Sequence, residues 1–380
     1  MRKPLLLILL AVLASAISLR LAESTGAGAI GQEMDGSWSA GAAMPTARTE
    51  VTSALLDGVI YVIGGFRATG GNANLVEAYD TGGDSWSVKA PLPQSLDHVG
   101  AAAVGGKIYV VGGYSNFSQG IISSSTYEYD PMADAWTARA PMPLTRAAAA
   151  TVALDGMIYV LGGVGPQATV PLAYDPTVDS WTQLAPMSAE REHLTASVAD
   201  GKIYVIGGRQ SVTMNVNTVE EYDPATNSWQ GLTKLPTARG GLASGALAGR
   251  VHVVGGEDLS PGGSTFAEHE VYDPASDSWV SGPALPTPRH GLTVQVIDDR
   301  PYAIGGGPTP ALSVSDAVEI FQLSSVGGIA ELPEVAGTPL ETARSTGPST
   351  GLLAVVAGIA AVAFALSGAV WYARQRVGGR

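Results

Sequence analysis

The chain of 380 residues contains no cysteine. That absence excludes disulfides, thiolate metal sites and cysteine nucleophiles together. Charge is also scarce, at 14% of residues, and Phe is limited to five beside 13 Tyr, seven Trp and 48 Gly. Such a mixture suits many short strands joined by glycine turns better than a helical bundle. No P-loop, dinucleotide fingerprint or zinc-binding helix motif is present, so no cofactor and no metal is expected.

The net charge of −13 hides an asymmetry. Arg2, Lys3 and Arg20 lie near the start and Arg374, Arg376 and Arg380 at the end, with no acid beside them. Taking these six from 21 bases leaves 15 against 34 acids, a balance of −19 for the body between. A body of that charge repels phosphate backbones and anionic lipid, so nucleic acid is excluded as a partner. Solubility is the simpler consequence of the same charge.

Both ends carry membrane signals. Residues 1–22 begin with Arg2 and Lys3, run apolar from Leu5 to Leu13, and offer Ala14-Ser15-Ala16 as a small-x-small cleavage site. This is the pattern of a secretory signal peptide, with an uncleaved anchor as the alternative. Residues 351–372 hold no charge. At about 1.5 Å per residue they span roughly 33 Å, enough to cross a bilayer core of about 30 Å. Trp371 and Tyr372 suit the interface, and the arginines that follow place residues 373–380 in the cytoplasm by the positive-inside rule. The expectation is a single-pass protein of the cell membrane with its body on the extracytoplasmic side. Residues 323–350, rich in Ser, Thr, Pro and Gly, form a flexible stalk. With no disulfide, the exported domain must be held by its hydrophobic core, which a chain of nearly 300 residues can supply.

The body repeats. Tryptophans fall at Trp38, Trp86, Trp136, Trp181, Trp229 and Trp279, and each precedes by 26 residues a glycine doublet beginning at Gly64, Gly112, Gly162, Gly207, Gly255 and Gly305. Tyr79, Tyr129, Tyr174, Tyr222 and Tyr272 each stand seven before a Trp, with Phe321 in the sixth copy. The period varies from 45 to 50, and all the variation lies between doublet and Tyr. Short β-branched runs at 59–63, 108–111, 158–161, 203–206 and 251–254 close on the doublets, several behind Asp-Gly turns. Each unit reads as a four-stranded antiparallel meander: strand a after an arginine, b before the doublet, c ending at Tyr, d carrying Trp. One such sheet cannot bury both faces, so six must stack around an axis. Strand a, nearest the axis, is expected to use small residues such as Ala101-Ala102-Ala103, Ala147–Ala150 and Gly240-Gly241. The sixth copy ends at strand c, and a lone strand around Trp38 is expected to complete it. The fold class is therefore all-β: a six-bladed β-propeller over residues 36–322, closed by an N-terminal strand, plus one C-terminal transmembrane helix.

The double glycine, Tyr-Asp, spaced Trp and Met44-Pro45-Thr46-Ala47-Arg48 lead-in resemble the kelch repeat family throughout residues 36–322. Asp-Ser-Trp in three copies resembles a sialidase Asp-box only superficially. The propeller is similar to that of the galactose oxidases, but that copper chemistry needs a tyrosine crosslinked to cysteine, and this chain has none. Periplasmic sialic acid epimerases are also kelch propellers, without a local signature in common here beyond the repeat.

Ten residues after the tryptophans stand Arg48, Leu96, Arg146, Arg191, Arg239 and Arg289. Arg67 and Arg209 follow glycine doublets on the same face, with Asp97-His98, Glu192-His193, His290 and Glu50 beside them. Arginine forks suit carboxylate, sulfate or sugar hydroxyls. The expected ligand-binding set is Arg48, Arg67, Arg146, Arg191, Arg209, Arg239, Arg289, His98, His193 and His290. On that reading, alanine at Arg146, Arg191 and Arg239 abolishes capture and leaves stability unchanged. The alternative gives the repeat arginines a structural role, binding loop carbonyls and acids. Function is expected to be recognition of a glycan, peptide or protein. The alternatives are an epimerase- or lyase-type enzyme using His98, His193, Glu192 and Asp97, or a purely architectural protein. His252 and His269 are expected to be packing or surface residues.

Overall fold

The computed structural model describes residues 34–324. The expected signal peptide, transmembrane segment and tail, and nearly all of the expected stalk, lie outside the described residues. Among the described residues no helix is long and apolar enough to cross a membrane.

Six four-stranded antiparallel sheets follow one another along the chain. The first runs Thr52–Leu56, Val59–Ile63, Val76–Asp80 and Ser85–Val88, from the axis outward. The next four repeat the order, and the sixth is assembled from both ends of the body. Thr293–Ile297, Arg300–Ile304 and Val318–Leu323 supply its inner three strands, and Gly36–Ala40 supplies the outermost. In that pairing Trp38 stands opposite Phe321, as Trp86 stands opposite Tyr79 in the first blade. The expected closure is therefore present. Leu323 belongs to the last strand rather than to the stalk.

The repeat markers act between blades. Each of the six blade tryptophans donates its indole N–H to a backbone carbonyl of the preceding unit, from Trp86 to Ala42 at 2.8 Å through Trp38 to Pro283 at 2.8 Å. Two residues before each of the first five of these Trp stands Asp84, Asp134, Asp179, Asn227 or Asp277, with positive φ. Its side chain accepts from the Tyr hydroxyl of its own blade and from a backbone N–H of the link before that blade, as Asp179 does from Tyr174 at 2.6 Å and Ala140 at 2.8 Å. The Asp of Asp-Ser-Trp is therefore more than a superficial likeness to another motif: it is one of the joints.

The glycine doublets close a full circle. The second glycine donates its N–H to the residue ten after the next Trp: Gly65 to Leu96, Gly113 to Arg146, Gly163 to Arg191, Gly208 to Arg239, Gly256 to Arg289, and finally Gly306 to Arg48, all at 2.8–3.0 Å. At Gly163 the backbone takes φ +88, and a Cβ would lie 2.6 Å from the Ala147 carbonyl and 2.8 Å from Ala149 Cβ. Only glycine fits there.

The innermost strands are only partly as expected. Ala101–Ala103 do lie in one, Gly100–Val104. The strands of the third and fifth blades begin at Ala150 and Ala243, so Ala147–Ala149 and Gly240-Gly241 lie in the lead-in above the channel instead. Small residues are needed most where the chain turns over the axis.

The two histidines set aside by the sequence are both buried, where the fifth blade meets the closing one. His269 begins the strand His269–Asp273, and its ring packs 4.8 Å from Phe321 and 5.6 Å from Trp38. Its Nδ1 donates to the Pro283 carbonyl at 3.2 Å, so its Nε2 accepts from His252 Nδ1 at 2.9 Å. Burial lowers both pKa values, to about 3 for His252 and about 4 for His269, with each pushed further down by a neighbouring cation.

Two predictions follow from these contacts. Gly163→Ala should destabilise the propeller by about 2 kcal/mol or more in urea unfolding, because the left-handed backbone and the clash add. The unfolded chain protonates histidine below about pH 6.5. The buried pair resists it, so their contribution is full above that pH and is lost as pH falls toward 4. Each contributes up to about 1.4 kcal/mol per pH unit there. Unfolding free energies of His252→Gln should therefore fall less steeply from pH 6.5 to 4.5 than those of the parent chain. Parallel slopes would refute the assignment.

Candidate functional site

The links that enter the innermost strands emerge on the same face as the b-to-c loops, and there they form a belt around the axis. At its six equivalent positions stand Glu50, His98, Ala148, His193, Gly241 and Gly291, all with φ between 50° and 66°. The carbonyl of each accepts from the next around the circle: His98 to Glu50 at 3.3 Å, Ala148 to His98 at 3.0 Å, His193 to Ala148 at 3.0 Å, Gly241 to His193 and Gly291 to Gly241 at 2.9 Å. Val51 N–H closes it on Gly291 at 3.3 Å. At the belt and below it lies a channel of about 440 Å³, lined by Ala, Ser, Thr, Val and Leu of the lead-ins and inner strands together with Glu50, His98 and His193.

Side chains from the belt span its mouth. Glu50 of the first blade reaches His193 of the fourth, on the opposite side, at 3.9 Å between Oε2 and Nε2. The same oxygen lies 3.4 Å from His98 Nε2, and the two imidazoles meet edge to face at 4.8 Å. Each imidazole is fixed from behind. His98 Nδ1 donates to Asp97 at 2.5 Å, and His193 Nδ1 donates to Glu192. Glu192 in turn accepts from Arg209 Nε at 2.6 Å, while Arg209 Nη1 binds Glu257 at 2.9 Å. His290 places Nδ1 3.3 Å from the other oxygen of Glu50 and 3.5 Å from Glu257.

The charges are mutually dependent. Burial works to raise the Glu50 pKa, but His98, His290 and His193 outweigh it and hold the carboxyl well below its ordinary range. Burial would lower His98 and His290, and the facing carboxylates raise both instead. Asp97 is pushed up by burial against the pull of His98. Glu192, also buried, is brought down to about 2 by His193 and Arg209.

The sequence-expected set divides sharply. His98, His193 and His290 meet around Glu50, and Arg209 stands behind them on Glu192 and Glu257. Arg67 is exposed, and it is Phe66 that occupies the position equivalent to Arg209. The five repeat arginines, expected at the mouth, are buried inside the blades. Arg48 binds Glu77 at 2.8 Å, Arg191 binds Glu220 at 2.6 Å, Arg289 lies 3.1 Å from Glu319, and Arg239 pairs with Glu270. Arg146 has no such acid and donates to the carbonyls of Pro166, Gln167 and Val170. Their geometry is the one the structural alternative describes: the charged ends point into protein. The partner acids stand two before Tyr79, Tyr222, Tyr272 and Phe321, a spacing the sequence reading overlooked. Where Leu96 replaces arginine, Tyr127 replaces the acid.

The fold and its joints define a β-propeller built from repeats with doublet, Tyr, Trp and arginine in fixed register. The family model for the KLHDC2/KLHL20/DRC7 Kelch-repeats domain matches residues 98–306, and that for the Kelch motif matches residues 47–93. The chain belongs to the kelch-repeat family. Among solved structures, one described as "Structure of YjhT" aligns with a TM-score of 0.64 at 17% identity, covering 72% of this chain and 95% of that one. At that identity the likeness is one of fold. No curated protein sequence matches the chain.

Arg191→Ala should cost about 3–5 kcal/mol of unfolding free energy, since it leaves the Glu220 carboxylate buried and unpaired. Replacing both partners by apolar side chains of similar volume should restore most of that. A single mutant as stable as the parent would return Arg191 to the list of ligand contacts.

Proposed function

We propose that the chain is a membrane-anchored recognition module that takes a peptide or protein partner on the loop face of its propeller, outside the cell membrane. The observation that carries the partner class is that five of the eight exposed large apolar side chains among the described residues cluster on one set of loops, the others being Val88, Met132 and Val178 at the outer strands and their turns. Phe117 and Ile121, Val212 and Met214, and Leu312 all sit on b-to-c loops, of the second, fourth and sixth blades. Two of these loops are stiffened as ribbons, Tyr114–Asn116 with Ile121–Ile122 and Arg209–Ser211 with Met214–Asn215. Three apolar tips on alternate blades thus surround a charged centre, an arrangement suited to an amphipathic protein surface. Kelch propellers serve as recognition modules, and all length variation of the repeat falls in these loops, on a fixed scaffold.

Glycan capture has less support, because the arginines that would favour it are used inside the blades. A purely architectural role is opposed by the convergence of Glu50, His98 and His193. The anchor rests on the apolar stretch at 351–372 and the arginines after it.

The quadruple variant Phe117→Ser, Ile121→Ser, Met214→Ser and Leu312→Ser tests the face. Each apolar side chain buried in a complex contributes about 1.5–3 kcal/mol, so crosslinking to a cell-surface partner should fall by roughly tenfold or more for each anchor lost. The melting temperature should be unchanged. Undiminished crosslinking would reject this face, and protection of the propeller from protease added to intact cells would reject the orientation.

A further inference from the structure

Three side-chain atoms converge at the channel mouth: His98 Nε2, His193 Nε2 and Glu50 Oε2. Carboxylates at Asp97 and Glu192 accept, so His98 and His193 both donate through Nδ1 and turn Nε2 toward Glu50. This is the orienting pattern of imidazoles that ligate metals, in which a carboxylate behind the ring fixes its tautomer and direction. The Nε2 atoms and a Glu50 oxygen all lie within 4.8 Å of one another. Bonds of about 2.0–2.1 Å in a tetrahedron separate ligand atoms by roughly 3.4 Å. The observed 3.4 and 3.9 Å from Glu50 Oε2 are close to that edge.

A second observation is independent of the distances. Among the belt positions, Gly241 and Gly291 hold the left-handed backbone freely, whereas Glu50, His98 and His193 adopt it with bulky side chains. Such backbone is retained where a side chain is needed at that place. A third is His290, buried to 1% exposure, whose Nδ1 lies 3.3 Å from the other oxygen of Glu50 while its Nε2 has no hydrogen-bond partner.

We propose that His98 Nε2, His193 Nε2 and Glu50 Oε2 form a binding site for one divalent first-row transition ion of the zinc class. Two imidazoles and one carboxylate favour such an ion over calcium or magnesium, which take sets of oxygen ligands. Three protein ligands leave the fourth position to water or to a ligand group within the channel, whose wall includes the same three residues. The alternative set of Glu50, Glu257 and His290 is weaker, because Glu257 already binds Arg209 and the Ala311 N–H. The site does not depend on the partner proposed for the loop face.

The test uses the full chain in detergent, without a histidine tag, stripped with chelator and then titrated with zinc or cobalt. One equivalent should bind, cobalt should develop the strong visible bands of four-coordination, and the melting temperature should rise by several degrees. His193→Gly is a variant that should fold, because glycine already serves at two equivalent belt positions. It should be at least as stable as the stripped parent, yet lose binding by 100-fold or more. Glu192→Gln should weaken binding by about 10- to 100-fold through the ring it orients. Substoichiometric zinc on the parent with no cobalt spectrum would overturn the assignment, as would undiminished affinity in His193→Gly.

Discussion

The propeller depends on hydrogen bonds that run around the ring rather than along a strand. Each sheet satisfies its own backbone, but a wedge of six sheets is held in a circle only if neighbours are joined where they converge. Two closed circuits do this, one from the doublet glycines to the next lead-in and one along the belt itself. Both use backbone atoms, so both survive sequence change in the repeat, as when Leu96 stands in place of arginine. Their cost is geometric. The lead-in must turn left-handed directly above the axis, and the second doublet glycine must approach a carbonyl more closely than any Cβ allows. The rigid spacings in the sequence are the consequence.

That explains which features were legible beforehand. Trp, Tyr and doublet recur at fixed separations because each touches a neighbouring blade, so periodicity exposed blade number, strand order and closure through Trp38. The convergence of His98 and His193 was legible for the same reason: equivalent positions in a ring face one axis. Periodicity says nothing, however, about whether a recurring side chain points outward or inward. Arg48, Arg191, Arg239 and Arg289 recur, and their role becomes visible only with Glu77, Glu220, Glu270 and Glu319, respectively, beside them. The sequence does hold that information as a paired loss, Leu96 with Tyr127. A spacing search confined to glycine and aromatics passes over it. The acid two residues before Trp was missed in a similar way, since a likeness to another motif drew attention from its recurrence.

Buried ion pairs within blades also reconcile two facts about charge. The body is strongly acidic, yet most repeat arginines and their acids cancel out of sight. Removing two charges from water is expensive, and the return is modest unless every donor is used. What each pair contributes is register: the guanidinium of Arg191 reaches the carbonyls of Gly207 and Thr218 as well as Glu220, tying the lead-in to the doublet and to strand c at one point. The arginines hold the loop bases in place, and the loops in turn present their apolar tips.

The belt carries the strongest argument for chemistry in the ring. A scaffold designed only to close would place glycine at all six left-handed positions, because a Cβ there costs energy and contributes nothing to the backbone circuit. This chain does so at two and uses alanine at a third. At the remaining three it places one carboxylate and two imidazoles, each imidazole backed by an acid from the residue before it, and it orders them so that they meet across the axis. Structural repetition accounts for their convergence but not for their identity. Symmetry would bring six glycines together equally well. The left-handed backbone is also held by joints such as Asp84 and Asp179, where the side chain serves the fold; in the belt, the carboxylate and the two imidazoles touch one another across the axis instead.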